Sequence, residues 1–331
     1  MASAEQIKAL LKSHMEGDEG LFLSVAMQVA AHEAKLGHGK LAEELRDMVD
    51  KSKSRSLASR SSDKLIPLNK PRGELAGLLS VSYPDTHLSH MILGSVISDK
   101  LKRAITEQRF FSKLKEHGLS PRRKLLLVGP PGTGKTMTAD ALGGELGLPV
   151  FRVRLDALIT KFMGETAAKL RQVFDAIADV RGIYFFDEFD AIGSQRGMQN
   201  DVGEIRRVLN SFLQMIEQDK SNSVIIAATN HPDVLDYALF RRFDDVIEYG
   251  LPNHEQIIAL LKTRLAGFHP VRFPWVKIAD HALKLSYAEI SKAADETIKY
   301  CIIHDNKFVD ATNLIQVLAE RKLMSRKLDS N

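Results

Sequence analysis

The clearest pattern along the chain is an alternation of short apolar runs with amphipathic stretches between residues 124 and 230. Four runs rich in Val, Ile and Phe predict buried strands: LLLVG, PVFRVRL, GIYFF and SVIIAATN. Helical stretches open between these runs at Gly134, Thr166 and Val202. Alternating strands and helices predict an α/β fold, in which helices sandwich a parallel sheet.

The first 52 residues carry a different pattern, which predicts three short amphipathic helices. The apolar positions of each helix share one face: Ile7, Leu10 and Leu11; Phe22, Val25, Ala26 and Val29; and Leu41, Leu45, Met48 and Val49. The polar stretch from Lys51 to Lys64 predicts a linker, and residues 65–90 give mixed signals that we interpret as a strap. We therefore expect a helical partner-binding module at 1–52, followed by a linker and strap at 53–90.

From about Asn253 the predicted strands stop and helical periodicity continues alone. One apolar stripe has helical spacing: Ile290, Ala294, Ile298, Cys301 and Ile302. Asp310 is positioned to cap a last helix that runs through Met324. These limits predict an α/β domain at 91–252 and a small helical lid domain at 253–331.

The composition is that of a globular protein, with 44% hydrophobic residues and a formal charge of only +4. This near balance of charges gives no strong attraction to nucleic acid. The single cysteine, Cys301, excludes an internal disulfide or a thiolate zinc cluster and predicts a buried, inert thiol. No apolar run approaches the ~18 residues that cross a bilayer, and no signal peptide is evident. We expect a cytoplasmic protein with no membrane partner.

The strongest candidate site is the sequence GPPGTGKT, which follows a predicted strand and precedes a helix. Its glycines let the backbone wrap an anion with inward N–H groups, and the start of the helix adds a positive dipole end. Lys135 is positioned to reach the β- and γ-phosphates of a nucleotide, and Thr136 to ligate Mg²⁺. The candidate nucleotide-binding residues are Gly129, Pro130, Pro131, Gly132, Thr133, Gly134, Lys135, Thr136 and Met137. An ordinary glycine-rich turn is the alternative.

Polar residues also follow two other predicted strands. The strand GIYFF runs into Asp187 and Glu188, and SVIIAATN ends in Asn230. The carboxyl ends of parallel strands meet at the ligand edge of an open sheet. We expect Asp187 to hold Mg²⁺, Glu188 to act as the general base, and Asn230 to hold the attacking water. Capping or turn formation is the alternative for all three residues, and we assign a capping role to Asp190.

These elements together resemble the AAA clade of the AAA+ ATPases, over about residues 90–320. The resemblance implies a P-loop NTPase fold and magnesium-dependent hydrolysis of ATP. The segment LDYALFRRFDDVIEYGLP looks like the second region of homology of this clade. It implies that Arg241 and Arg242 are arginine fingers, which neutralise phosphoryl charge in the site of a neighbouring subunit. The Pro-Gly that usually separates these arginines is absent, and a solvated basic turn is the alternative.

The resemblance also extends to a substrate pore. KFMGE, from Lys161 to Glu165, looks like the loop that grips substrate in the central channel of a ring. Phe162 and Met163 would then face this channel, although such a pair before a helix is more often part of a core. The stretch from Ser194 to Asp201 would be a second pore loop, with Arg196 as a candidate contact.

Two further segments match the family less closely. LSYAEI stands in the place of the family's G-x-S-G-A-D segment, with Lys284 and Tyr287 where glycines are usual. By this resemblance Ala288 lies beside the nucleotide, while Ile92 and Gly94 enclose the adenine. His87 and His90 are three residues apart, but no third ligand stands at a fixed spacing, so we interpret them as surface histidines.

The resemblance therefore predicts an ATP-driven protein remodeller that assembles as a homo-oligomeric ring, expected to be a hexamer. Neither H-E-x-x-H nor G-x-S-x-G occurs in the sequence, so any proteolysis requires a separate protease. The layout also resembles bacterial ATPases that are paired with subtilisin-like proteases in plasmid-incompatibility or phage-defence loci.

The alternative from another class is a nucleic-acid-associated ATPase, such as a loader or a transposition helper. Its recognition surface would be the basic cluster Arg321, Lys322, Arg326 and Lys327. We interpret this cluster as a frayed, solvated tail. A nucleotide-binding scaffold without catalysis is disfavoured, because Glu188 is present.

Overall fold

A computed structural model describes residues 25–27, 29–30, 43, 71, 73–158, 163–189, 202–231 and 240–328. The chain separates into two compact units, Met1–Leu68 and Asn69–Asn331. In the first unit the described residues are all helical, and Val25 and Val29 are buried, as the predicted apolar face requires. The remainder of the 1–52 module and the stretch from Lys51 to Lys64 lie outside the described residues.

The second unit is built on a six-stranded sheet with the order β1-β3-β4-β5-β2-β6. The strands are β1 (Leu79–Ser82), β2 (Lys124–Val128), β3 (Val150–Val153), β4 (Ile183–Phe186), β5 (Val224–Thr229) and β6 (Asp245–Glu248). Strands β2 to β6 pair in parallel, and β1 is antiparallel to β3. The four predicted strands are β2 to β5, and they form the interior of the sheet.

Helices cover both faces of the sheet, so the predicted α/β sandwich is confirmed. They are α1 (Leu75–Leu78), α2 (Ser95–Arg109), α3 (Phe111–Glu116), α4 (Lys135–Leu146), α5 (Leu155–Leu158), α6 (Met163–Asp179) and α7 (Val202–Gln218). Leu101 of α2 and Leu142 of α4 are buried in one apolar layer. Phe174 of α6 and Phe212 of α7 are buried in the other. Helix α6 begins three residues before the predicted Thr166.

The helical segment that follows has an apolar core of its own. Its helices are α8 (His254–Arg264), α9 (Trp275–Ala282), α10 (Tyr287–Ile303) and α11 (Ala311–Leu328). Cys301 is buried, as predicted, and Asp310 Oδ2 accepts a hydrogen bond from Asn313 N at 3.3 Å. The last helix nevertheless runs beyond Met324 to Leu328.

One residue of the predicted stripe on α10 is wrongly assigned. Ile302 is 58% exposed, whereas Ile290 and Cys301 are buried. Each helical residue turns by about 100°. Cys301 therefore lies about 20° from Ile290 around the helix axis, and Ile302 lies about 120° away, outside the buried face.

Two strands were not predicted. Strand β1 falls within the segment interpreted as a strap, and β6 follows the two arginines Arg241 and Arg242. Both strands lie at the edges of the sheet, where only part of each strand is buried. Among the described residues, no helix is both long and apolar enough to cross a membrane.

Candidate nucleotide site

The loop from Gly129 to Thr136 joins β2 to α4 and has a backbone that only glycine adopts without strain. Gly129, Gly132 and Gly134 have φ angles of 148°, 72° and 103°. L-residues rarely occupy these angles, because the Cβ atom meets the backbone. The glycines of the motif are therefore needed for the curvature of the loop.

Two side chains at the start of α4 face this loop and its surroundings. Lys135 is buried, and its Nζ donates to Gly129 O at 2.7 Å and to Pro130 O at 2.8 Å. Thr136 Oγ1 donates to Asp187 Oδ2 at 2.8 Å. The ammonium group thus lies across the loop, and the threonine hydroxyl meets the carboxylate that follows β4.

The acidic pair has a distinctive backbone. Asp187 is partly buried, and its Oδ1 accepts a hydrogen bond from Glu188 N at 3.0 Å. Glu188 is exposed and has a φ of 49°. A left-handed conformation at a non-glycine residue costs roughly 1–3 kcal/mol, and such strain concentrates at functional sites.

Asn230 lies between the acidic pair and the loop. It follows β5, and β5 is hydrogen-bonded to β4 on one side and to β2 on the other. Thr229 O accepts a hydrogen bond from Gly129 N at 3.3 Å, which ties the end of β5 to the loop. The parallel sheet therefore brings Asn230, Asp187 and the loop together at the carboxyl ends of the strands.

Arg241 and Arg242 lie at the opposite side of the sheet, at the amino ends of the strands. They precede β6, which runs parallel to β2, whereas the loop follows β2. The four residues of β6 separate the amino ends of the strands from their carboxyl ends by about 13 Å. Arg241 is exposed, and Arg242 Nε lies 3.4 Å from Glu217 Oε2. Residues 232–239 lie outside the described residues.

The helical segment contacts the loop through the start of α10. Ala288 N donates to Gly132 O at 3.1 Å, and a Cβ atom on Gly132 would lie 2.6 Å from Ser286 Oγ. Ser286 caps α10, and its hydroxyl accepts from Glu289 N at 3.3 Å. Lys284 has a φ of 73°. It therefore adopts the left-handed backbone conformation that a glycine would favour.

The segment predicted to enclose the adenine also lies next to the loop. Ile92 packs against the core of α8 to α11, and Gly94 is the N-cap of α2. A Cβ atom on Gly134 would lie 3.4 Å from Met91 Cε. A Cβ atom on Gly94 would lie 3.5 Å from Gln256 Nε2. The segment therefore runs between the phosphate loop and the helical segment.

Some of the predicted residues are not among those that the structure describes. Phe162, Asp190 and the stretch from Ser194 to Asp201 lie outside the described residues, and Met163 is the first residue of α6. His87 Nδ1 lies 3.5 Å from Glu145 Oε1. The described part of the chain contains no group of three or more His, Cys, Asp or Glu side chains that could hold a metal ion.

The interpretation of the basic cluster as a frayed tail is wrong for Arg321. Its guanidinium lies 3.1 Å from Glu289 Oε2 and 2.8 Å from Glu296 Oε2, which joins α11 to α10. Partial burial raises the pKa of Glu289, but hydrogen bonds from Arg321 and Lys292 outweigh burial and leave this pKa lowered. Sequence reasoning missed this pairing because the partners lie 25 and 32 residues from Arg321.

Sequence reasoning also missed Tyr249, which directly follows β6 and is 4% exposed. Its backbone lies against Gly129 of the loop, and its hydroxyl lies 2.6 Å from Thr138 Oγ1 in the first turn of α4. The only signal in the sequence is an aromatic residue after a segment with no continuous apolar run, and such a residue fits many positions.

Comparisons with known proteins identify the family of the chain. Residues 125–251 match the family described as "ATPase family associated with various cellular activities (AAA)". An uncharacterized AAA family ATPase, y4kL of Sinorhizobium fredii, is 33% identical over 97% of this chain and 96% of its own length. The proteasome-activating nucleotidase of Sulfurisphaera tokodaii is 37% identical over 64% of this chain and 56% of its own length. The ATP-dependent zinc metalloprotease FtsH 4 of Sphaerobacter thermophilus is 40% identical over 46% of this chain and 25% of its own length.

The chain therefore belongs to the AAA family of ATPases, and it binds and hydrolyses ATP. The match to y4kL covers nearly the whole of both chains. By contrast, the chain spans about half the length of the nucleotidase and a quarter of the metalloprotease.

Proposed function

We propose that ATP binds with Mg²⁺ at the loop from Gly129 to Thr136. The curvature of the loop and the position of Lys135 across it suit a chain of phosphates. Thr136 Oγ1 and Asp187 Oδ2, 2.8 Å apart, are the hard oxygen ligands that Mg²⁺ prefers. Bound there, the ion would neutralise negative charge on the phosphates.

Glu188 is the proposed general base. It is exposed beside Asp187, and its left-handed backbone sets it apart from the regular alternation of β4. The carboxylate takes a proton from the attacking water, and Asn230 helps to orient this water. Ala288, Ile92 and Gly94 are proposed to contact the base end of the nucleotide.

Self-association follows from the position of the two arginines. Arg241 and Arg242 lie at the amino ends of the strands, whereas the loop lies at their carboxyl ends. The arginines are therefore poorly positioned to serve the ATP of their own subunit. This observation carries the proposal of a ring in which each arginine serves a neighbouring site. Both arginines are proposed for this role.

The proposed work is the remodelling of a protein partner, selected by the module at 1–52 and drawn past Phe162 and Met163. The names of two relatives, a proteasome-activating nucleotidase and a zinc metalloprotease, connect those proteins to proteolysis. Any cleavage by this system would come from a separate protease, since the sequence lacks H-E-x-x-H. The alternative of a nucleic-acid surface loses support, because Arg321 is neutralised by Glu289 and Glu296.

The assignment of the site is tested by comparing Lys135→Ala with Glu188→Gln. We expect Lys135→Ala to abolish ATP binding, and Glu188→Gln to bind ATP normally but lose turnover. Equilibrium binding and phosphate release measure the two properties separately. Normal hydrolysis by the Glu188→Gln protein would remove Glu188 from the role of base.

The ring is tested by mixing inactive variants. Arg241→Ala should bind ATP with nearly unchanged affinity but hydrolyse it slowly. Mixing it with Lys135→Ala should restore part of the activity, because some interfaces combine an intact loop with an intact arginine. Turnover that stays constant on dilution to the monomer range would contradict this arrangement.

The substrate class is tested at Phe162. Phe162→Ala should retain ATP hydrolysis and its melting temperature but lose its action on a protein partner. Stimulation of hydrolysis by DNA, with a steep dependence on salt, would instead favour the nucleic-acid alternative.

A further inference from the structure

Tyr249 is buried directly beneath the phosphate loop, at the point where β6 ends. Its backbone N donates to Val128 O at 2.7 Å, so it continues the pairing of β6 with β2. A Cβ atom placed on Gly129 would lie only 2.2 Å from Tyr249 O and 2.9 Å from Tyr249 Cβ. The backbone of Tyr249 therefore closes against the first glycine of the loop.

The side chain of Tyr249 reaches the other end of the same loop. Its hydroxyl lies 2.6 Å from Thr138 Oγ1, and Thr138 Oγ1 donates to Gly134 O at 3.0 Å. Because the Thr138 hydroxyl donates its single proton to Gly134 O, the tyrosine hydroxyl is the donor to Thr138. A chain of two hydrogen bonds thus runs from Tyr249 to the carbonyl of the last glycine.

The tyrosine remains a donor at neutral pH. Burial raises the pKa of Tyr249 to about 12, although the hydrogen bond with Thr138 acts in the opposite direction. The phenol therefore keeps its proton, and the chain of hydrogen bonds stays intact across the neutral range. Thr138 itself is fully buried, so water does not compete for these groups.

We propose that Tyr249 is a positioning residue for ATP, which fixes the spacing between Gly129 and Gly134 and so holds the loop in its binding shape. This inference rests on the proposed assignment of ATP to this loop. Gly134 precedes Lys135 and Thr136 directly, so a shift of its carbonyl moves the start of α4. Backbone N–H groups and Lys135 bind phosphate oxygens only within a narrow range of distances. Tyr249 thus acts on ATP through the loop and touches no reacting atom.

The first test is Tyr249→Phe, which removes the hydroxyl and keeps the ring in its packing site. We expect the Kd for ATP, measured with a fluorescent ATP analogue, to rise about two- to tenfold, the range that corresponds to the net loss of one hydrogen bond. The kcat at saturating ATP should change by less than about twofold, because the loop binds the ground state and the transition state alike.

Tyr184→Phe is the matched control. Tyr184 is also buried, and its hydroxyl donates to Ala176 O at 2.7 Å and to Val180 O at 3.0 Å, at the C-terminal end of α6 and away from the loop. We expect this variant to lose thermal stability comparable to that lost by Tyr249→Phe, with an unchanged Kd for ATP. If both variants keep the Kd of the unmodified protein, Tyr249 has only a structural role and the proposal is overturned.

A second pair of variants tests the same hydrogen-bond chain from Thr138. Thr138→Val removes the hydroxyl and should raise the Kd as Tyr249→Phe does, whereas Thr138→Ser should restore it. The double variant Tyr249→Phe/Thr138→Val should bind ATP no more weakly than the weaker single variant, because both changes break one chain. Additive losses would contradict the chain.

Lys135→Ala distinguishes a failure of the ATP assignment from a failure of the role of Tyr249. If this variant binds ATP normally, the assignment of the loop is wrong and the role of Tyr249 falls with it. If Lys135→Ala loses ATP while Tyr249→Phe keeps it, the loop binds ATP and only the role of Tyr249 is overturned.

Discussion

The phosphate loop is contacted from two directions that differ in kind. On the sheet side, Gly129 is bonded to Thr229 O at 3.3 Å and closes against the backbone of buried Tyr249. On the side of α10, one backbone hydrogen bond of 3.1 Å joins Ala288 to Gly132, supported by the side chain of Ser286. The first set of contacts belongs to the strands of the sheet, and the second joins segments that have separate apolar cores.

This difference indicates a division of roles. Interior strands such as β2 and β5 move only if their neighbours move, because their side chains are closely packed and their backbone groups are all paired. Tyr249 follows the edge strand β6, but it is buried and its N donates to Val128 O of β2 at 2.7 Å. The sheet side should therefore determine the shape of the loop and contribute to the stability of the fold. The α10 side should adjust ATP affinity while leaving the fold of the sheet intact.

The largest expected effect is that of Gly129→Ala, on the sheet side. The new Cβ atom meets Tyr249 O at 2.2 Å, and Ala must also adopt a φ of 148°. Overpacking and backbone strain together should lower the free energy of unfolding by roughly 2–5 kcal/mol and abolish ATP binding. Urea denaturation and equilibrium binding measure the two effects.

The control for this variant is Gly147→Ala, at a φ of 62° with no atom within 4 Å of the new Cβ. It carries the milder strain of a left-handed conformation without the collision. If Gly129→Ala proves no less stable than Gly147→Ala, the sheet side is not the rigid support that we infer.

A smaller effect is expected for Gly132→Ala, on the α10 side. Its Cβ atom would lie 2.6 Å from Ser286 Oγ and 2.9 Å from Ala288 Cβ. We expect α10 to move aside, because it belongs to a segment with a separate apolar core. We expect ATP binding to weaken about tenfold, a change of about 1.4 kcal/mol. The melting temperature should fall only as far as in Gly118→Ala, which has the same φ of 72° and open space around it. A much larger loss of stability in Gly132→Ala would mean that α10 is as rigidly held as the sheet.

The smallest effect concerns the ion pair that anchors α10 to α11. The pKa of Glu289 is lowered in the folded chain, so its contribution to stability is present above the ordinary value of 4.5 and is lost as pH falls through the lowered pKa. Glu289→Gln should therefore reduce the free energy of unfolding by about 0.5–1 kcal/mol at neutral pH and by nothing in acid. Denaturation curves at several pH values test this. Asp295→Asn is the control, because Asp295 lies 4.0 Å from Arg264 and so forms a longer ion pair than Glu289 does. A difference that persists in acid would mean that packing, and not charge, connects the two helices.

Much of the interior of the fold could be predicted because its signals are local. Every residue of β4 and β5 is buried, so each strand appears in the sequence as a continuous apolar run. Strands β1 and β6 were missed because they lie at the sheet edges and mix polar with apolar residues. No run of one kind marks them, and their pairing partners lie far away in the sequence.

The sequence by itself determined the order of the elements around the site, the glycine loop and the acidic pair, because each depends on residues that are adjacent in the chain. Only the tertiary structure decided that Tyr249 lies under this loop, 111 residues from the Thr138 to which it is bonded. It also decided that Arg321 forms an ion pair with Glu289, and that Arg241 lies at the amino ends of the strands, away from the loop at their carboxyl ends. These relations depend on the order and direction of strands and on the packing of helices. A local pattern of residue types does not specify them, because the same pattern is compatible with many arrangements of distant segments.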